Sequence, residues 1–174
     1  FDVTGQDHDP EYAMRARARM KNRAGFMLCA PDHLPVDDCT FDYGVATDIE
    51  FWDDPEAVLR ELARVSCRGV VLLFSNAWSL ARLECLTRKE RARAAPMCAA
   101  WLSPRKVRRL ARQTFECKAA SWGSILLGPG FTWRHKSWHE RLNTLMPALP
   151  LGAFAALRVD FQPLRAGTPL VLRA

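Results

Sequence analysis

The 174-residue sequence contains no apolar run approaching the roughly 20 residues that a membrane-crossing helix requires. It does not open on a basic and then apolar signal segment either, since Asp2, Asp7 and Asp9 stand there instead. These two absences predict a soluble, cytoplasmic protein with no membrane span. There are six cysteines (Cys29, Cys39, Cys67, Cys85, Cys98 and Cys117) but no CxxC pair and no repeated short spacing. That argues against a disulfide framework or a zinc knuckle, and predicts that most are buried thiols in a reducing compartment. Internal repeats and low-complexity tracts are also missing. The first residue is Phe1 and not Met, which reads as a fragment, a trimmed domain or a processed chain.

What is present has the balance of a globular protein: 49% hydrophobic and 25% charged residues, in a length that suits one domain. The formal net charge is +6, and its distribution says more than its total. Acidic residues crowd the first third, from Asp2 to Asp54, whereas arginines dominate from Arg82 onward. The two halves are expected to face different surroundings.

Punctuation along the chain predicts alternating strands and helices. A short strand ends near Gly5; Asp9-Pro10-Glu11 supplies an N-cap and a first-turn proline for a helix through Met20, which Gly25 ends. Phe26 to Cys29 and Phe41 to Ala46 read as strands buried on both faces. Asp54-Pro55-Glu56 repeats the helix start, and Val58, Leu59, Leu62 and Val65 fall on one stripe at helical spacing. Gly69 breaks that pattern before Val70 to Phe74, the strongest strand signal in the chain. This order predicts a doubly wound, mostly parallel α/β sheet with helices on both faces. After Asn76 come a basic helix from Leu80 to Ala94, a helix from Arg105 to Thr114 started by Ser103-Pro104, and closing strands at Phe115 to Trp122 and Gly152 to Phe161. An irregular insertion from Ile125 to Pro150 separates those strands.

Four segments in order resemble the class I S-adenosylmethionine-dependent methyltransferases that act on small molecules. Val3 to Glu11 is similar to the stretch in which the family's second strand ends on an acidic residue and a helix begins. Leu34-Pro35-Val36-Asp37-Asp38-Cys39-Thr40-Phe41-Asp42 is similar to the loop entering the fourth strand. Asp54-Pro55-Glu56 through Leu62-Ala63-Arg64-Val65 resembles the helix after it, and Arg68-Gly69 stands where the family usually has a Pro-Gly-Gly turn. The resemblance implies a Rossmann-like fold with an antiparallel C-terminal strand, whose first strand and glycine-rich turn would precede Phe1. On it, residues 1–174 are one partial domain: 1–76 the cofactor half, and 77–174 the later helices, insertion and closing strands.

The cofactor so implied is S-adenosylmethionine, and the reaction is methyl transfer to a small-molecule acceptor. Asp7 would accept the two ribose hydroxyl protons, with His8 flanking the adenosine. Ala30 stands where the family carries an acid toward the adenine, so that Ala30 and Pro31 would wall the base, and Asp32 would substitute from further along the loop. Ala46, Thr47 and Asp48 would line the methionine end. The departing sulfur is already activated, so positioning supplies most of the rate and a base serves only acceptors with a tightly held proton. His33, Asp48, His135 and His139 are the weak candidates for that base. Phe51 occupies a position where relatives often carry histidine, and with Trp52 it reads as an apolar wall.

His135 and His139 share a helix-face spacing suited to zinc, but no matching carboxylate or cysteine completes a site, and no metal is expected. Trp133 and Trp138 read as a lid or a homodimer surface. The basic helices carrying Arg82, Arg88, Lys89, Arg91 and Arg93, then Arg105, Lys106, Arg108, Arg109 and Arg112, read as solvated faces; nucleic acid is the less favoured partner, for want of interleaved aromatics. Two alternatives to the small-molecule enzyme stay open. One is a catalytically inactive Rossmann-like scaffold or assembly subunit; the other is an RNA methyltransferase, though the Asn-Pro-Pro-Tyr type tetrapeptide of many base-amino methyltransferases is absent.

Overall fold

A computed structural model describes residues 2–82, 101–115, 120–127 and 151–161. The chain runs β1 (Thr4–Asp7), α1 (Pro10–Met20), β2 (Gly25–Leu28), β3 (Phe41–Ala46), α2 (Pro55–Val65), β4 (Ser66–Ser75), α3 (Pro104–Phe115), β5 (Ala120–Leu127) and β6 (Gly152–Asp160). Single 3₁₀ turns follow α1 at Lys21–Arg23 and β3 at Ile49–Phe51. The basic helix expected from Leu80 to Ala94, apart from its first residues, lies outside the described residues, as do His135, His139, Trp133 and Trp138.

The helix starts form as their sequences dictate. Asp9 caps α1 by accepting from the Glu11 amide at 2.8 Å, and Asp54 caps α2 by accepting from the Ala57 amide at 3.0 Å. In each case proline follows at a position that has no amide donor to lose. Ser103 does the same for α3, taking the Lys106 amide on Oγ at 3.3 Å.

The strands form two sheets. β1 and β2 make a parallel pair in which Asp7 stands opposite Leu28. The other four follow the order β3-β4-β6-β5: β3 is parallel to β4, while β6 runs antiparallel to both β4 and β5. Helices α2 and α3 pack together and bury Leu59, Val107 and Ala111 against Val70, Leu72, Phe74, Ala155, Leu157 and Val159, which form the core. The predicted stripe on α2 is the buried one, with Leu62 packed partly against that core.

Four expectations need correcting. β3 is not buried on both faces: it alternates, with Gly44 and Ala46 inward and Val45 61% exposed, because α2 backs only one side. β2 leaves Leu28 60% exposed, since its described helix partner is α1, a helix without a single buried residue. Gly69 does not interrupt the chain; β4 begins at Ser66 and runs straight through it. Phe115 closes α3 instead of opening a strand, β5 starts only at Ala120, and Ile125 to Leu127 belong to that strand and not to the insertion. The described thiols are also less buried than expected: Cys39 is exposed, and Cys29 and Cys67 are half-buried, while Cys85, Cys98 and Cys117 lie outside the described residues.

Candidate functional site

In a sheet with parallel strands, ligands are held beyond the carboxyl ends, where loops leave and backbone groups are free. At the end of β1 the Asp7 carbonyl accepts from the Cys29 amide at 3.1 Å, so that the loops after β1 and β2 leave the sheet side by side. The Gln6 side chain adds a second tie by donating to the Cys29 carbonyl. The Asp7 carboxylate is not the helix cap, a role that Asp9 fills. Its Oδ1 accepts from the Asp9 amide at 2.9 Å and lies 3.7 Å from His8 Nδ1, while Oδ2 takes part in neither contact. A carboxylate with one oxygen anchored and the other free is prepared to accept hydroxyl donors.

Ala30 is exposed and Pro31 half-buried beside it, and a turn closes there through the His33 amide and the Ala30 carbonyl at 3.3 Å. Asp32 is exposed. His33 turns toward a different group: with Leu34, Pro35, Val36, Asp37, Glu61 and Arg64 it lines a shallow concavity of about 440 Å³.

The second cluster follows β3. Ala46 is buried, Thr47 and Asp48 are exposed, and Asp48 has φ 55°, the left-handed conformation that reverses the chain into the Ile49–Phe51 turn. The Phe51 amide donates to the Asp48 carbonyl at 3.0 Å, and buried Ile49 anchors the turn. Among the described residues no hydrogen bond or ion pair joins the Asp7 and Asp48 clusters; each stands at its own strand ends.

Two residues that sequence reasoning passed over also stand at these ends. Glu50 Oε1 accepts from the Ser75 amide at 3.1 Å, joining the exits of β3 and β4, while Oε2 is buried with no partner. Asn76 is fully buried: its amide nitrogen donates to the Gly152 carbonyl at 2.8 Å and its oxygen accepts from the Trp78 amide at 3.0 Å. Glu50 left a signal, an acid between the apolar Ile49 and Phe51 directly after a strand. Asn76 left none beyond its place at the end of the strongest strand.

The loop from Leu34 to Asp38 is fixed by one arginine. Arg64 donates to the Leu34 carbonyl at 3.1 Å, the Val36 carbonyl at 2.9 Å and the Asp38 carboxylate at 2.7 Å, and pairs with Glu61 through two nitrogens. Glu61 in turn accepts from the Leu34 amide at 2.7 Å. The Arg64 hydrogen bonds hold the Glu61 carboxyl down at about 2 from the ordinary 4.5, against the opposing effect of burial. A carboxyl whose pKa is lower in the folded chain contributes stability that is complete above about 4.5 and is lost as pH falls from there through about 2. Denaturant titrations across that window are therefore expected to show the parent losing on the order of 2 kcal/mol more than Glu61→Gln. Parallel pH profiles for the two proteins are the contrary result.

Comparison with known proteins adds a family match over part of the chain and a likeness of fold. Residues 1–74 match the family described as "Methyltransferase domain". No curated protein sequence matches the chain. Among solved structures, an S-adenosylmethionine-dependent methyltransferase from Thermotoga maritima, described as a possible histamine N-methyltransferase, superposes with a TM-score of 0.66 at 20% identity. That alignment covers 92% of this chain and 73% of the other. An S-adenosylmethionine-dependent methyltransferase from Aquifex aeolicus gives 0.57 at 12% identity, covering 92% and 69%. The plantazolicin methyltransferase BamL, solved with S-adenosylhomocysteine, gives 0.59 at 15% identity, covering 93% and 69%. At these identities the likeness is one of fold.

Proposed function

We propose, from the match of residues 1–74 to the methyltransferase-domain family, that this protein transfers a methyl group from S-adenosylmethionine to a small-molecule acceptor. The observation that carries the proposal is the Asp7 carboxylate at the end of β1, anchored through Oδ1 and open at Oδ2, beside the exposed Ala30 and Pro31 loop. The two features fit the two ends of an adenosine: a carboxylate accepts hydrogen bonds from vicinal hydroxyls, and an apolar loop packs on a base. His8 flanks them, and Asp32 is the acid in reach of the same loop. When bound, S-adenosylmethionine supplies a methyl group already activated on a sulfonium.

The chain's own contribution is then to bind and to orient. Ala46, Thr47 and Asp48 at the end of β3 stand toward the methionine end. Glu50, which ties the exits of β3 and β4 through the Ser75 amide, would hold these strand ends in place behind that part of the site. A small acceptor is supported by the Thermotoga neighbour, whose own ascription is to histamine. Ala30, in a position that the family fills with an acid, supports the second reading, a scaffold that has given up the cofactor.

Calorimetric titration of the protein with S-adenosylhomocysteine separates the two. Saturable heat at one site per chain is the expected outcome. No heat at any concentration leaves the scaffold as the surviving reading.

A further inference from the structure

Helix α3 uses its two faces for different purposes. Pro104, Val107, Ala111 and Phe115 are buried, whereas Arg105, Lys106, Arg108, Arg109 and Arg112 are exposed, and the helix contains no acidic residue. Arg105, Arg108, Arg109 and Arg112, with Gln113, line a shallow concavity of about 440 Å³. No salt bridge among the described residues involves any of these arginines. Four guanidinium groups converging without a carboxylate repel one another, a cost that an anionic ligand removes.

The shape and chemistry of the patch narrow the ligand. From Arg105 to Arg112 the helix rises about 10 Å, roughly three charge spacings of a nucleic-acid strand. The planar guanidinium grips phosphate oxygens in pairs, which a lysine cannot do. An exposed aromatic, which the helix itself lacks because its Phe115 is buried, is supplied from elsewhere: the Arg105 guanidinium lies over the Trp78 ring at 5.1 Å, and Trp78 is 38% exposed. The bridge between Asn76 and Leu102 brings the start of α3 to the carboxyl end of β4, so the row of arginines begins at the rim of the candidate site. A membrane surface fits less well. An interfacial helix must insert its apolar face into lipid, and that face of α3 is occupied by the core.

The geometry points to a docking surface for single-stranded nucleic acid along α3, with phosphates on Arg105, Arg108, Arg109 and Arg112 and a base against Trp78. This surface is independent of methyl transfer, and its test needs no cofactor, so its failure leaves the enzymatic reading untouched.

Fluorescence anisotropy with a labelled oligouridylate of about 12 nucleotides tests it directly. Binding is expected at about 50 mM salt, weakening on added salt with a log–log slope near −2, as about three neutralised phosphates predict. Replacing Arg105, Arg108, Arg109 and Arg112 together by Gln is expected to weaken binding at least tenfold with an unchanged circular dichroism spectrum. Trp78→Ala is expected to weaken it while leaving the salt slope as it was. If the fourfold variant does not fold, the exposed single changes Arg109→Gln and Arg112→Gln carry the same test, each lowering the salt slope by a little under one. No binding to the oligonucleotide, or binding that these arginine changes leave intact, overturns the proposal. So does arginine-dependent capture on phosphatidylserine vesicles without oligonucleotide binding, which would assign the face to a membrane.

Discussion

Replacing Gly69 by alanine is expected to lower the melting temperature by about 5–10 °C, a cost of about 2–3 kcal/mol for a chain of this size. The reason is a close approach of backbones. Gly69 pairs with Asp160 across the β4–β6 ladder, and a Cβ there would lie 2.3 Å from the Val159 carbonyl oxygen and 3.1 Å from the Asp160 Cα. A flexible side chain could swing aside; these are main-chain atoms of the neighbouring strand, held by hydrogen bonds on both of its edges. Relief requires opening the ladder at the end where the Phe161 amide donates to the Arg68 carbonyl. The tip of the Tyr43 ring, 3.2 Å from the same point, closes the space from the β3 side. The neighbouring Arg68→Ala, which removes only an exposed ion pair with Asp42, serves as the control and is expected to cost less than about 1 kcal/mol. Thermal melts followed by circular dichroism measure both. Equal melting temperatures for Gly69→Ala and Arg68→Ala would mean that the strands can separate at this point without loss.

Asp7→Ala carries the largest expected effect on ligand binding. Each hydrogen bond to a charged carboxylate contributes roughly 1.5–3 kcal/mol, and under the proposed function two ribose hydroxyls would share this one. Loss of about 3 kcal/mol corresponds to S-adenosylhomocysteine binding weakened on the order of 100-fold. The substitution leaves α1 capped, because Asp9 performs that function. A melting temperature near that of the parent, together with the weakened titration, is thus the expected pair of results. Asp7→Asn keeps one acceptor oxygen without the charge and is expected to fall between the two. Unchanged affinity in Asp7→Ala would remove Asp7 from the site and with it the main support for the cofactor assignment.

How far the sequence could be read depended on whether a residue's role is local. The caps at Asp9 and Asp54, the apolar stripe of α2, and the strands at Phe41 to Ala46 and Gly152 to Asp160 follow from spacing and side-chain chemistry within a few residues. Gly69 read as a break because a glycine's reason can lie in another strand, here 90 residues later. Phe115 favours a strand by propensity, yet burial against Phe161, with ring centroids 5.6 Å apart, fixes it at the end of a helix. At the candidate site, Asp7 was singled out by the family resemblance and not by its own surroundings in the sequence, and it does stand at the end of β1. Glu50 left only the hint of an acid between apolar neighbours, and Asn76 and the grip of Arg64 on the Leu34 to Asp38 loop left none, since each depends on partners that only the fold brings near. The pairing of Arg105 with Trp78 belongs to the same class.

The position of β6 also bears on how the protein comes into being. The last described strand in the chain lies between β4 and β5 and, among the described residues, is what joins them by ladder hydrogen bonds. While a ribosome is still extending the chain toward Gly152, β4 and β5 each expose an edge of unsatisfied amides and carbonyls, and the core formed by Val70, Leu72 and Phe74 lacks Ala155, Leu157 and Val159. Synthesis therefore passes through a long interval in which these edges can recruit strands from other nascent chains. Folding cannot be completed from the N-terminus as the chain emerges; it waits for β6, and a product ending short of Gly152 is expected to be a substrate for chaperones and proteases.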